Sequence, residues 1–288
     1  MRIISRILIG VLCFTPFFLS AQSVAEGNMD KATVAKYEQI SNVLKANQSK
    51  TVPQLMIIAA KEMLGTEYVA GSLEQVPEKL KVSLVETDCI LFVESCLAMA
   101  VNAKKGVFHP DSLCAAVQNL RYRNGKVDGY ASRIHYTSEW IKQGEGRGIF
   151  TEITDVLSGE NLSGQRFTYM TEHSDAYMQL KGNAAEVARI AQMEKYLNGF
   201  EDYYVIPKGD VRKIEHLLKD GDILGFNSTV KGLDIAHVAL VYHKENGQVG
   251  FIHASQVDGK VVVDEKDIAD YVNGRKNNNG IRIVRVNR

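Results

Sequence analysis

The sequence predicts an α+β fold in one domain, with a helical lobe over about residues 31–205 and an antiparallel β lobe over about residues 206–288. The first part of the chain carries apolar residues at helical spacing. From Ile206 onward the pattern changes to short β runs separated by turn sequences such as Asn246-Gly247 and Asp258-Gly259. No repeat, low-complexity segment or Pro/Gly-rich linker divides the chain, which favours one domain over two.

The composition is that of a globular protein with a large core. Of the 288 residues, 45% are hydrophobic and 24% are charged. The formal net charge is zero, so the chain lacks the basic excess that binding to nucleic acid or to an anionic membrane would require. Neither partner is expected.

Residues 1–21 are expected to form a secretory signal peptide. Arg2 and Arg6 precede an apolar run over residues 7–19, and Ala21 offers a small residue at the cleavage point. The run is too short for a comfortable membrane span. We therefore expect residues 22–288 to be exported, to a periplasm or to the outside of the cell, without stable membrane association.

The elements follow from periodicity and from capping residues. Helices are predicted over Lys31–Ala46, Val52–Leu64, Cys89–Ala103, Ser112–Arg121, Thr168–Leu180 and Ala184–Leu197. A strand is predicted over Lys79–Val85, where apolar residues alternate. The strands of the β meander are predicted over Asp222–Phe226, Ala236–His243, Val249–Ala254, Lys260–Val263 and Ile281–Val286.

Cys89 is the candidate nucleophile because it begins an apolar helix. Thr87 or Asp88 can act as the N-cap, and the first-turn N–H groups and helix dipole are expected to lower the thiol pKa. A cysteine in an apolar helix is more often an inert buried residue, which is the expectation for Cys96 and Cys114. Cys89 and Cys96 lie seven residues apart on one helix. That is a rise of about 10.5 Å, too long for a disulfide, and we expect free thiols.

His237 and His253 are the candidate base and its partner, since a thiol nucleophile needs a base whose tautomer is fixed by another polar group. A two-residue turn between their strands would place them on opposite faces of the sheet. A three-residue loop with Gly247 in the left-handed conformation instead places His253 across from Ala239, on the face of His237. The diagonal pair is then about 7 Å apart at Cβ.

Cysteine and histidine side chains could instead act as zinc ligands. The chain has no CxxC and no HExxH sequence, and its seven histidines are scattered. No metal and no other cofactor is expected, although a loss of activity on chelation would revive a metal-dependent enzyme.

Five motifs in chain order resemble those of the NlpC-type papain-like cell-wall cysteine peptidases. They are Tyr68-Val69-Ala70-Gly71, Asp88-Cys89, Asp222-Ile223, His237–Tyr242 and Ile252–Ser255. Four segments resemble more closely the N-acetylmuramoyl-L-alanine amidase-like branch: Gly65–Leu73, Asp88–Glu94, Ser132–Trp140 and His253-Ala254-Ser255. The resemblance spans about residues 55–288.

The resemblance implies a papain-like fold, with the nucleophile helix of the helical lobe packed on a barrel-like β lobe. It implies that Cys89 attacks an amide carbonyl, that His237 acts as general base and then acid, and that His253 orients His237. Residues implied to line the substrate site are Tyr68, Asp88, Arg133, His135 and Ser255.

The leading hypothesis is an exported cysteine amidase that cleaves the bond between N-acetylmuramic acid and L-alanine in peptidoglycan fragments (muropeptides). The same machinery could instead cut the stem peptide between D-glutamate and the diamino acid. A non-catalytic muropeptide-binding protein is the alternative from another class. No wall-binding module is evident, which favours small soluble fragments over the intact sacculus.

Overall fold

The computed structural model describes residues 24–287, so the predicted signal peptide lies outside the described residues. The helices are α1 (Lys31–Ala46), α2 (Val52–Glu62), α3 (Cys89–Lys104), α4 (Pro110–Arg121), α5 (Thr137–Gly146), α6 (Tyr169–Glu172), α7 (Ala184–Leu197), α8 (Val211–Ile214) and α9 (Ile268–Asn273). The strands are β1 (Glu67–Tyr68), β2 (Glu86–Thr87), β3 (Phe150–Glu152), β4 (Glu160–Asn161), β5 (Tyr204–Pro207), β6 (Ile223–Ser228), β7 (Ile235–His243), β8 (Val249–Ser255), β9 (Lys260–Val263) and β10 (Asn278–Val286). Within residues 24–287, no helix is both long enough and apolar enough to span a bilayer.

The strands form one large sheet in the order β2-β1-β9-β8-β7-β6-β10-β5-β4, and β3 pairs with β10. The predicted α+β class and the run from β6 to β9 as an antiparallel meander are confirmed. Two features of the prediction are wrong. The sheet stays open instead of closing into a barrel, because β10 returns to β6 while the far side of β9 is taken by β1. It is also mixed rather than purely antiparallel, since β1 and β2 run parallel.

Helix α3 is the centre of the larger hydrophobic core. It packs against α1, α2 and α4 and against β7 and β8 of the sheet. Its side chains are buried almost all round, including Phe92, Val93, Cys96 and Leu97. The prediction of a buried helix, made from apolar residues on all sides of α3, is therefore confirmed.

Two predicted elements are wrong. The Lys79–Val85 segment buries Leu80, Val82 and Leu84 as a strand would, but no strand forms there. The N–H groups of Val82 and Leu84 donate to groups near α1 instead, at Asn28 O (2.8 Å) and Thr33 Oγ1 (3.3 Å). Extended backbone with alternating burial can thus line helices without joining a sheet.

The helix predicted over Thr168–Leu180 is limited to α6. The ring nitrogen Nδ1 of His173 lies 2.8 Å from the Tyr169 carbonyl oxygen, which the His173 N–H also contacts at 3.0 Å. Ser174 and the acidic residue after it then form a short 3-10 turn. Short polar side chains at this point favour a turn over continuation of the helix.

A buried ion pair joins β3 to β10. Arg282 is 1% exposed and donates to both carboxylate oxygens of Glu152, at 2.8 and 2.7 Å. Its third donor contacts Ser138 Oγ at 2.6 Å, and the guanidinium lies 4.3 Å from the centre of the Tyr203 ring. Protein groups therefore contact all three nitrogens of this buried cation.

We predict that Glu152→Gln lowers the free energy of unfolding by about 3–5 kcal/mol, because it leaves the Arg282 charge buried without its counter-ion. Urea unfolding followed by circular dichroism measures the change. Lys213→Ala, which removes an exposed ion pair with Asp210, is the control and should leave the midpoint unchanged. Equal midpoints for the two variants would contradict the prediction.

Candidate active site

Cys89 is the first residue of α3, and Asp88 is the N-cap. Asp88 Oδ1 accepts the N–H of Leu91 at 2.9 Å, and the Asp88 carbonyl accepts the N–H of Phe92 at 3.0 Å. The predicted helix start and one of the two predicted caps are confirmed. Cys89 is half-buried, whereas Cys96 and Cys114 are fully buried, and all three are free thiols as expected.

The surroundings of the sulfur differ from the expectation in one respect. Burial, assisted by the neighbouring Asp88 carboxylate, raises the thiol pKa of Cys89 to about 12. The N–H groups of Val238, Ile90 and Cys89 itself act in the opposite direction, as a helix N-terminus should, but they are outweighed. The predicted lowering of the pKa by the helix terminus is wrong because loss of hydration dominates. The Cys89 thiol is therefore neutral at rest.

The hairpin of β7 and β8 has the predicted register. Leu240 pairs with Ile252 and His243 with Val249, so the same register sets His253 across from Ala239. Gly247 has a φ of +81°, and its N–H donates to the Lys244 carbonyl at 2.9 Å. The three-residue loop is thus confirmed, and it brings the two histidines to one face.

The two imidazoles are hydrogen-bonded to each other. His237 Nε2 lies 2.7 Å from His253 Nδ1, with the rings nearly perpendicular at 82°. His237 is half-buried and stacks on Phe226, while His253 is 1% exposed. Burial first, and then the neighbouring His253 and Arg275, lower the pKa of His237 to about 3. The His237 imidazole is therefore neutral at neutral pH.

Asp264 extends this chain of contacts by one residue. Its Oδ2 lies 3.3 Å from His253 Nε2, and its Oδ1 accepts the N–H of Lys266 at 2.8 Å. Burial raises the pKa of Asp264, but the contacts with His253 and Lys266 outweigh it and leave the pKa below its usual value. The carboxylate is thus ionised at neutral pH and can only accept a hydrogen bond.

The ionised Asp264 favours one tautomer of each histidine. Its carboxylate lies 3.3 Å from His253 Nε2 without the alignment of a hydrogen bond, and its charge favours a proton on that nitrogen, which leaves His253 Nδ1 as an acceptor. His237 must then donate from Nε2, and its Nδ1 is left without a proton. The arrangement therefore presents His237 Nδ1 as the basic nitrogen. Asp264 was not predicted from the sequence. The one feature that could have indicated it is its position directly after a β strand.

Cys89 and His237 lie in neighbouring elements but do not share a hydrogen bond in the described part of the chain. The N–H of Val238, the residue after His237, lies close enough to the Cys89 sulfur to lower the pKa of the thiol. The ring centre of Tyr271 is 6.5 Å from that of His237. Burial raises the pKa of Tyr271, and the charges of Asp264 and Cys89 act in the same direction. The thiol and the histidine pair therefore border one site.

The predicted substrate-binding residues occupy different surroundings. Tyr68 is half-buried near Cys89, and burial raises the pKa of its hydroxyl to about 12. Arg133 is 5% exposed and donates to Glu74 at 2.7 Å, with Glu78 at 3.6 Å. Burial raises the pKa of Asp88, and the charge of Arg133 is among the weaker effects that oppose this rise. Arg133 is therefore already paired with protein carboxylates.

His135 and Ser255 are held by local contacts. His135 Nε2 lies 3.0 Å from the Tyr130 carbonyl, and burial lowers the pKa of His135 to about 3. Ser255 Oγ donates to Asp258 at 2.6 Å within the turn between β8 and β9, and it also borders a groove beside His237. Trp140, at the end of the segment that contains His135, is a core residue. It stacks on Phe150 with 4.6 Å between ring centres.

Metal ligation can be judged from the side chains alone. Between residues 24 and 287, no group of three or more His, Cys, Asp or Glu side chains is arranged so that it could hold a metal ion. The His237, His253 and Asp264 side chains form a linear chain of contacts rather than a coordination shell.

A sequence profile described as N-acetylmuramoyl-L-alanine amidase-like matches residues 58–281, which include every residue of this site. The chain belongs to this family. No curated protein sequence matches it.

Solved structures of similar proteins agree on the fold of this amidase-like family member. An N-acetylmuramoyl-L-alanine amidase from Bacteroides uniformis ATCC 8492 is 31% identical, with a TM-score of 0.75 over 82% of this chain and 99% of that one. A Bacteroides fragilis protein provisionally named a xylanase is 32% identical, with a TM-score of 0.73 over 79% and 99%. A Legionella pneumophila protein at 20% identity, with a TM-score of 0.64 over 88% and 96%, shares the fold.

We predict that nitrogen–proton NMR spectra show His237 protonated at Nε2 and unprotonated at Nδ1. Asp264→Asn should populate both tautomers, because an amide can either donate or accept. Asp264 raises the pKa of His237, so its neutralisation should lower that pKa further.

Asp220→Asn is the matched control. It removes a carboxylate that lies 2.7 Å from Nδ1 of His243, on the same strand as His237. His237 should keep its tautomer and its titration in this variant. If Asp264→Asn also leaves both unchanged, the carboxylate does not orient the histidine pair.

Proposed function

We propose that this chain is an exported, papain-like cysteine amidase of the NlpC type, which cleaves the amide between N-acetylmuramic acid and L-alanine in muropeptides. The observation that carries the proposal is the Asp264–His253–His237 chain beside a thiol at a helix N-terminus, in a member of the amidase-like family. The predicted signal peptide supports export, most simply to a periplasm.

In the proposed reaction, His237 Nδ1 takes the thiol proton as Cys89 Sγ attacks the carbonyl carbon of the muramic acid lactyl group. In this reaction the Cys89 N–H at the start of α3 stabilises the oxyanion. The N–H of Leu91 does not contribute, because it donates to Asp88 Oδ1. His237 then protonates the departing nitrogen of L-alanine, and a thioester remains on Cys89. Water, deprotonated by His237, hydrolyses the thioester and restores the thiol.

The neutral resting pair requires the proton to move during attack. A raised thiol pKa and a lowered imidazole pKa both disfavour a preformed thiolate and imidazolium. Substrate binding brings the thiol and the imidazole into hydrogen-bond contact, as catalytic hydrogen bonds often tighten only in the complex. Asp264 stabilises the imidazolium that then forms, through His253.

Glycoside hydrolysis, which the name of the Bacteroides fragilis structure raises, fits this site poorly. It requires two carboxyl groups on either side of the bond that is cut. Asp88 beside the thiol caps α3, and Asp264 contacts His253 and Lys266. Neither carboxylate is free for that role.

We predict that Cys89→Ala lowers turnover by more than about a thousandfold without loss of the fold, because it removes the nucleophile. His237→Ala should have nearly the same effect, and His253→Ala a smaller one. Rates of muropeptide hydrolysis and circular dichroism spectra measure the two properties. Cys96→Ala is the control, and if it were as damaging as Cys89→Ala the assignment of the nucleophile would be wrong.

We predict that the mature protein releases free tetrapeptide from a defined disaccharide-tetrapeptide, whereas the Cys89→Ala variant does not. Mass spectrometry of the products distinguishes the bonds. Release of disaccharide-dipeptide would instead establish an endopeptidase that cuts after D-glutamate. An unchanged substrate with the wild-type protein would contradict the amidase proposal and favour a binding role.

A further inference from the structure

A groove of about 440 Å³ borders His237, and none of its lining residues belongs to α3. One wall is formed by β7 at Ala236 and His237, and the other by the segment from Gly274 to Asn278 that follows α9. Tyr271 of α9 lies between the walls. The groove therefore begins at the proposed base.

The groove is positively charged. Arg275 and Lys276 on its outer wall are exposed, and none of its lining residues is an Asp or a Glu. The Arg275 guanidinium lies 4.6 Å from the centre of the Tyr271 ring, and it is close enough to His237 to lower the pKa of that imidazole. Arg275 forms no ion pair with any acidic residue of the described chain. By contrast, Arg282 and Arg285 each contact a carboxylate.

The chemistry of the proposed reaction indicates what occupies this groove. A general acid must lie beside the nitrogen that it protonates, so the leaving part of the substrate extends away from His237. If the proposed amidase function is correct, the leaving part is the stem peptide, which begins with L-alanine and continues with D-glutamate. The D-glutamate carries a free α-carboxylate, because its side chain makes the next peptide bond.

The distances suit a dipeptide. The ring centres of His237 and Tyr271 are 6.5 Å apart, and the guanidinium of Arg275 lies 4.6 Å from the Tyr271 ring centre. Two residues of extended chain span about 7 Å. Stacking on Tyr271 also limits the rotamers of Arg275, so less side-chain entropy is lost when its planar donors meet a carboxylate.

We propose that Arg275, assisted by Lys276, binds the α-carboxylate of the second stem-peptide residue and so selects muropeptides with a free D-glutamate. This proposal rests on the amidase function above and assigns the leaving-group side of the same site. It makes Arg275 a specificity-determining residue for the acidic stem peptide.

The test compares two defined substrates, a disaccharide-tetrapeptide and its analogue with that carboxylate amidated to D-isoglutamine. The wild type should prefer the free acid by about tenfold in kcat/KM, mainly through KM, as expected for a partly exposed charge-assisted hydrogen bond. Arg275→Gln should lose this preference by slowing on the free acid alone. Arg275→Lys keeps the positive charge but lacks the planar guanidinium donors, and it should retain part of the preference for the free acid.

Arg166→Gln is the matched control, because it removes one exposed arginine charge outside the groove and should keep the wild-type preference. Thermal unfolding reports whether each variant is folded. Equal wild-type rates on both substrates, or an equal loss on both in Arg275→Gln, would overturn the assignment and leave the amidase proposal standing. Cleavage of neither substrate by the wild type, or release of disaccharide-dipeptide, would overturn both.

Discussion

The hydrogen bond between His237 and His253 requires a specific register of β7 and β8 and a specific loop length between them. Both imidazoles must leave the same face of the sheet, one diagonal step apart, which requires an odd-length loop between β7 and β8. Gly247 makes that loop possible, since its φ of +81° is easily reached only without a side chain. Phe226 and Tyr271 then remove water from around the pair. The strand register, the turn at Gly247 and the aromatic packing thus all contribute to the hydrogen bond between His237 and His253.

Two physical effects compete at Cys89, and their relative size decides the resting state. The open N–H groups at the start of α3 favour a thiolate, as the sequence suggests. Burial and the Asp88 carboxylate disfavour it more strongly. The same residue that caps the helix therefore also keeps the thiol neutral. In the proposed reaction, such a site holds no reactive thiolate at rest and generates the nucleophile when a substrate has displaced water.

The predictable part of the molecule is the part governed by local rules. Helices α1 and α7 have the predicted bounds because capping residues and apolar periodicity agree there. The β7–β8 loop was predictable because one face had to carry both histidines. The sheet order was not, since the returns of β10 to β6 and of β1 to β9 are contacts between segments far apart in sequence. Asp264, Tyr271 and Arg275 were missed for the same reason.

The distribution of charge around the site separates its two ends. On the side of α3, Arg133 is paired with Glu74 and Glu78, so its charge is neutralised within the protein. Beyond His237, Arg275 is stacked on an aromatic ring and has no carboxylate partner in the described chain. A substrate with a neutral sugar at one end of the cleaved amide and an acidic peptide at the other matches this asymmetry. In the proposed reaction the base faces the leaving nitrogen, so this asymmetry gives the proposed substrate one direction of binding.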